Sequence, residues 1–163
     1  MTRDSMTKDG FLKARNFIFK DLEREIQLAK ADGNALRTIG VHPGGGNILA
    51  ALGLLCYTEF GGKLRFGSNK ASENFNQFFD LLGHEYMAFR VEQKHDVYKI
   101  FRCGLVHEYY VKHTFTDIAM LAIEAGPGIG IGIDGRYFFV VESYFNDFRR
   151  AFEDLQAHLF GSD

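Results

Sequence analysis

The sequence has no tryptophan, only two cysteines, no excess of positive charge, and no apolar run longer than the one from Ile48 to Cys56. Each shortage removes a class of protein. A membrane-spanning helix needs about 20 consecutive apolar residues, so no membrane partner is expected. The opening stretch, "MTRDSMTKDG", lacks the apolar core of a secretory signal. Cys56 and Cys103 sit inside apolar helical patterns instead of a spaced framework, which points to reduced thiols and a cytoplasmic protein. With 19 Lys and Arg against 21 Asp and Glu, the formal net charge is −2. No global field therefore draws the chain onto DNA, RNA or anionic lipid, and any nucleic-acid contact has to come from a local basic patch.

What is present is a good supply of core. The 163 residues are 46% hydrophobic and include 17 Phe and 7 Tyr. Each ring contributes roughly 1.5 to 3 kcal/mol when buried. That length suits one domain, residues 1–163, without repeats, linkers or low-complexity tails.

Hydrophobic spacing sets the elements. Phe11, Ala14, Ile18, Leu22, Ile26 and Ala29 recur every three or four residues and predict an amphipathic first helix, ended near Gly33-Asn34 by a left-handed stop. After "VHPGGGN", Asn47 is placed to cap a nearly all-apolar second helix running to Gly61-Gly62. Phe75, Phe78, Phe79 and Leu82 mark a third, with Ser68, Asn69 or Ser72 as caps. A fourth starts between Val91 and Asp96 and reaches about Val111. "IGIGIDGRYFFVV" alternates with period two around Asp134-Gly135, predicting an antiparallel hairpin over 128–141. Phe145, Phe148, Phe152, Leu155 and Leu159 form the stripe of a last helix. The expected fold is mainly α, a bundle of about five helices with one β-hairpin inserted before the C-terminal helix.

Three stretches invite a chemical reading. "GPGIGIGIDG" has the glycines of a phosphate loop, but a dinucleotide fingerprint needs a strand before it and a helix opening on its last glycine. Here the glycines lead into another strand, so Gly128, Gly130 and Gly132 are expected to clear a strand face for close packing. "HPGGGN" stands ahead of a helix, where free amides attract anions, though a plain connection explains it as well.

The third is "FRCGLVHEYYVK", residues 101–112. At about 100° per residue from Val97, the residues Ile100, Phe101, Gly104 and Leu105 join Val97 in a buried stripe. Arg102 then lies near 140° and His107 near 280°, flanking a second face of Lys99, Cys103, Val106 and Tyr110. A solvent face would rarely combine Cys, Val and Tyr, so Cys103, Val106 and Tyr110 are expected to meet a partner. His95 and Lys99 fall on the side of Arg102 and give a candidate nucleic-acid-binding strip. An arginine fork matches a phosphate, and histidine exchanges protons near neutral pH. Zinc held by His95, Asp96, His107 and His113 has no familiar ligand spacing and no Cys pair, so neither metal nor cofactor is expected.

Arginine, four to six residues, then histidine on a late helix of a small helical domain resembles the signature of the HEPN superfamily. The spacing occurs three times, at Arg37 to His42, Arg90 to His95 and Arg102 to His107, and only "RCGLVH" lies inside a well-formed helical pattern. The resemblance implies a helical bundle that dimerises so that two motifs meet. It also implies a metal-independent endoribonuclease of a defence or toxin–antitoxin system, with RNA and an antitoxin as partners. Arg102 and His107 would be the catalytic pair, with attack by an RNA 2′-hydroxyl on its neighbouring phosphate. Two features depart from the pattern: Cys103 stands where active members commonly carry Asn, Asp or His, and the hairpin is no general feature of the family. A noncatalytic dimerisation or nucleotide-binding module on the same fold therefore stays open. So does a structural helical protein in which Arg102 makes a surface salt bridge and the spacing is accidental.

Overall fold

The computed structural model describes residues 6–108 and 117–161. Helix α1 spans Lys8–Lys30, opened by Thr7, whose hydroxyl accepts a hydrogen bond from the Gly10 amide. Its buried face is the expected stripe of Phe11, Ile18, Leu22 and Ile26. The stop at Gly33-Asn34 is different. Asp32 accepts from the amides of Asn34 and Ala35 at 3.1 and 2.9 Å and so starts a short helix, α2 (Gly33–Thr38). Gly33 is helical, with no left-handed backbone.

Helix α3 (Asn47–Phe66) runs one turn beyond Gly62 and ends at Gly67, which takes the left-handed conformation at φ 69°. Gly61 and Gly62 lie inside it because helix α4 (Ala71–Asp80) comes too close for side chains. A Cβ on Gly62 would stand 1.9 Å from the Asn74 carbonyl oxygen. Asn47 does not cap α3; its amide donates to the Ile118 carbonyl at 2.5 Å, and Gly46 precedes the helix instead. The turn before α4 is braced by Ser68 and Asn74. The Ser68 amide donates to Asn74 Oδ1, and Asn74 Nδ2 donates back to the Ser68 carbonyl, both at 2.9 Å. Phe75, Phe78 and Phe79 turn inward from α4.

The next region is less regular than its pattern suggests. Helix α5 (His84–Met87) widens into a π turn over Ala88–Glu92, and Lys94 reverses the chain with φ 62°. Asp96 then accepts from the Lys99 amide at 3.1 Å and opens a second helical stretch. This stretch makes a π turn over Tyr98–Cys103 before continuing as α6 (Gly104–Glu108).

The hairpin expected over 128–141 is present as β2 (Ile129–Ile131) against β3 (Tyr137–Val140), antiparallel, with Gly135 at φ 78° in the turn. A third strand, β1 (Asp117–Ala119), pairs with β3 in parallel, giving the order β1-β3-β2. Gly128 and Gly130 are there for clearance, since a Cβ would meet the Tyr144 amide at 2.3 Å or the Phe138 ring at 2.7 Å. Helix α7 (Val141–Phe160) follows β3 directly and buries Tyr144, Phe145, Phe148, Phe152 and Leu155.

The architecture is mainly α, with the small sheet placed before the last helix. Its core is one cluster rich in rings, with Phe11 stacked on Phe152 at 5.0 Å and Phe139 on Tyr144 at 4.8 Å. Two phenols inside it are paired, as buried polar groups must be. The Thr58 hydroxyl gives its proton to the Leu54 carbonyl, so Tyr144 donates to Thr58 at 2.9 Å. Tyr86 donates to the Asp147 carboxylate and accepts from the Gly128 amide at 2.8 Å, joining α5, the hairpin and α7 at one oxygen. Burial pushes both phenols well above the ordinary tyrosine value. Among the described residues, no helix is long and apolar enough to cross a membrane.

Candidate functional site around Arg102

Arg102 lies in the π turn that leads into α6. In a regular helix it would stand about 140° from Val97. A π turn spends an extra residue on each hydrogen-bonded ring, so each residue rotates by less than about 100° and Arg102 comes round toward the buried stripe. There it meets α3. Its Nε donates to Glu59 Oε2 at 2.8 Å, and its guanidinium carbon lies 5.8 Å from the centre of the Tyr98 ring. The two charged side chains are 19% and 23% exposed. The terminal nitrogens of the fork make no hydrogen bond among the described residues.

Arg102 forms one wall of an open cleft of about 500 Å³, whose other walls include Cys56, Glu59, Lys63, Ser68 and Asn69. Lys63 donates to the Ser68 carbonyl at 2.8 Å, across the turn that follows α3. Burial raises the Cys56 thiol while the neighbouring arginine pulls the other way. The net effect keeps the thiol protonated, in a site that does not activate it as a nucleophile.

The other residues of the sequence reading are distributed around this point. His107 is exposed on α6, and beside it Val106 is 38% exposed. Cys103 is half-buried and Lys99 is exposed; neither lines the cleft. Tyr110 and His113 lie outside the described residues. His95 is not on the Arg102 helix but in the segment before its Asp96 cap. Its ring stacks on Phe89 at 4.4 Å, lies edge-on to Tyr137, and places Nδ1 3.2 Å from the Tyr137 hydroxyl. The structure thus draws Arg102 to Glu59 and His95 to the sheet, and no hydrogen bond or ion pair joins Arg102 to His95 or His107.

The other occurrences of the spacing have local partners. Arg37 donates to Asn34, and Arg90 grips Asp80 with two nitrogens. Among the described residues no group of three His, Cys, Asp or Glu could hold a metal. At "HPGGGN", Gly44, Gly45 and Gly46 are all left-handed, with φ of 84°, 82° and 75°. The Glu25 carboxylate comes so near that a Cβ on Gly46 would be 2.8 Å from its oxygen. The chain's own anion already stands at the start of α3.

Sequence reasoning missed Glu59 and Lys63, yet a signal existed. They are charges one helical turn apart in a largely apolar helix, and such charges need either solvent or a partner. Comparison of the chain with protein-family models, with curated proteins and with solved structures gives no match.

Proposed function

We propose that the chain is a HEPN-like protein acting on RNA as a metal-independent endoribonuclease, of the kind that serves defence or toxin–antitoxin systems. The observation that carries this reading is the state of Arg102: its Nε is pinned by Glu59 while, among the described residues, the rest of the fork makes no hydrogen bond beside an open cleft. A pinned guanidinium with open donors is pre-organised for a phosphate. His107 and Val106 stand exposed on α6, which supports a homodimer that brings a second copy of the motif to complete the site. In the reaction, the 2′-oxygen attacks phosphorus as His107 takes its proton. The bond to the 5′-oxygen breaks, and that oxygen leaves with a proton supplied by the other copy's His107. Arg102 balances the charge growing on the phosphoryl oxygens.

RNA incubated in EDTA is expected to be cut by the wild type to 2′,3′-cyclic phosphate ends, and His107→Ala is expected to lower the rate by at least about 100-fold. Equal cleavage by both proteins, or none by either, refutes the enzymatic reading.

A noncatalytic dimerisation module is the second reading. It is supported by the same ion pair, which neutralises Arg102, and by Cys103, a weak hydrogen-bonding residue following the arginine. It expects a dimer by sedimentation that Val106→Asp dissociates, with no RNA cleavage.

A further inference from the structure

Both π turns stand against the sheet, through Phe89 in the first and Phe101 in the second. A π turn carries one residue more than an α turn and is rare, so a chain keeps it only where its surroundings fix both ends. Lys94, between the two, adds a second irregularity: it bears a side chain yet takes the left-handed conformation, at φ 62°. Strain of that kind persists only where neighbouring contacts over-determine it.

Those contacts converge on Tyr137, the first residue of β3. The residue after Lys94 is His95, whose ring lies 4.4 Å from that of Phe89 and 5.6 Å from that of Tyr137, with Nδ1 3.2 Å from the Tyr137 hydroxyl. The His95 amide also donates to the Phe89 carbonyl at 3.4 Å. Further along, Phe101 is fully buried, its ring 5.4 Å from Tyr137 and 6.4 Å from Phe139. Arg102 is the next residue. One strand of the hairpin therefore holds the chain at His95 and again at Phe101, and the second π turn takes up the residue that does not fit between these anchors as a regular helix.

We infer that the hairpin is a clamp for the π turn that carries Arg102, and that His95 and Tyr137 are the positioning residues through which it acts. Freed at His95, the turn relaxes toward an α turn, and loss of the extra residue swings Arg102 by up to about 100°, off Glu59. The inserted hairpin thereby has a task at the site. Its bearing on RNA cleavage rests on the proposed function, whereas the clamp itself does not. His95 is half-buried and lies outside the apolar core cluster, so replacing it leaves that core in place.

The test follows solvent exchange of the Arg102 Nε–H by NMR in the full-length protein, the signal being assigned by its loss in Arg102→Met. His95→Ala removes the ring and the hydrogen bond together and should speed that exchange at least about tenfold, with circular dichroism showing the helices retained. Tyr137→Phe is the gentler variant, keeping its ring and losing only the hydroxyl, and should speed it about threefold. Phe160→Ala, which loses a ring contact to Phe11 in the α1–α7 seam, controls for general destabilisation and should stay within about twofold of the wild type. Unchanged exchange in His95→Ala or in Tyr137→Phe, or a rise in Phe160→Ala equal to theirs, overturns the inference. A protein that cuts no RNA yet shows the expected pattern loses the proposed activity and keeps the clamp. One that cuts RNA with the same kcat in wild type and His95→Ala keeps the activity and loses the positioning role.

Discussion

The ion pair between Arg102 and Glu59 can be weighed by a double-mutant cycle in which Glu59→Gln removes the charge at constant shape and Arg102→Met keeps the stem while removing the fork. Fully exposed ion pairs couple by about 0.2 to 1 kcal/mol, and breaking fully buried ones costs about 3 to 5 kcal/mol. At 19% and 23% exposure and 2.8 Å, this pair belongs between those limits. The charge-assisted bond from Nε favours the pair, while the water-facing cleft weakens it. A coupling energy of about 1 to 2 kcal/mol follows. Each single variant should lose more stability than the pair is worth, because it leaves a half-buried charge without its partner, and the double variant should lose less than the sum. Urea unfolding followed by circular dichroism measures all four proteins, and repetition in high salt should shrink the coupling only modestly, since the pair is half-shielded from counterions. Additivity within about 0.3 kcal/mol would refute the reasoning, because the pair would then not exist in solution.

Tyr86→Phe should destabilise by about 2 to 3 kcal/mol, because it orphans the Gly128 amide and takes a donor from Asp147; urea unfolding and faster hydrogen exchange at Gly128 check it. Gly62→Ala should cost more than about 2 kcal/mol, since the new methyl would lie 1.9 Å from the Asn74 carbonyl. Gly53→Ala in the same helix meets only the Tyr57 ring at 3.5 Å and should be neutral or stabilising by up to about 1 kcal/mol, so thermal unfolding of the two variants should diverge. The Glu142 carboxyl is held below its ordinary range, first by its bond from Lys30 and also by the Ala122 amide. Its folded value being lower than its unfolded one, the stability it contributes is present above about pH 4.3 and fades as pH falls through the folded value. Glu142→Gln should therefore be less stable than the wild type at pH 7 by up to about 1 kcal/mol and indistinguishable at pH 2, as read by unfolding at both.

The helices whose packing depends on one apolar stripe were readable from sequence. Phe11, Ile18, Leu22 and Ile26 define α1, and Phe145, Phe148, Phe152 and Leu155 define α7, because a stripe needs only the period of the helix itself. The errors arise where a neighbour decides. Gly61 and Gly62 read as a stop, yet they are the contact through which α4 approaches α3, and nothing in α3 alone announces that. Asn47 has the chemistry of a cap but finds a carbonyl of β1, while β1 itself is three residues long and exists through its pairing with β3. The site divides in the same way. The helix under Arg102 and His107 was legible, but its π turn was not, since a wheel drawn at a fixed angle has no place for an extra residue. That turn brings Arg102 to Glu59, 43 residues earlier in the chain, and so creates the cleft.

The shared hydroxyl of Tyr86 also bears on the order of events in folding. Its two partners are 42 and 61 residues further along the chain, so neither bond can close until the whole intervening loop has been gathered. Loop closure of that length costs entropy before the contact returns anything, which places these bonds after the local helices. A contact made that late belongs to the descent from the transition state. Its loss should leave the refolding rate almost unchanged and appear as faster unfolding, so that this one oxygen governs how long the hairpin stays docked more than how quickly it arrives.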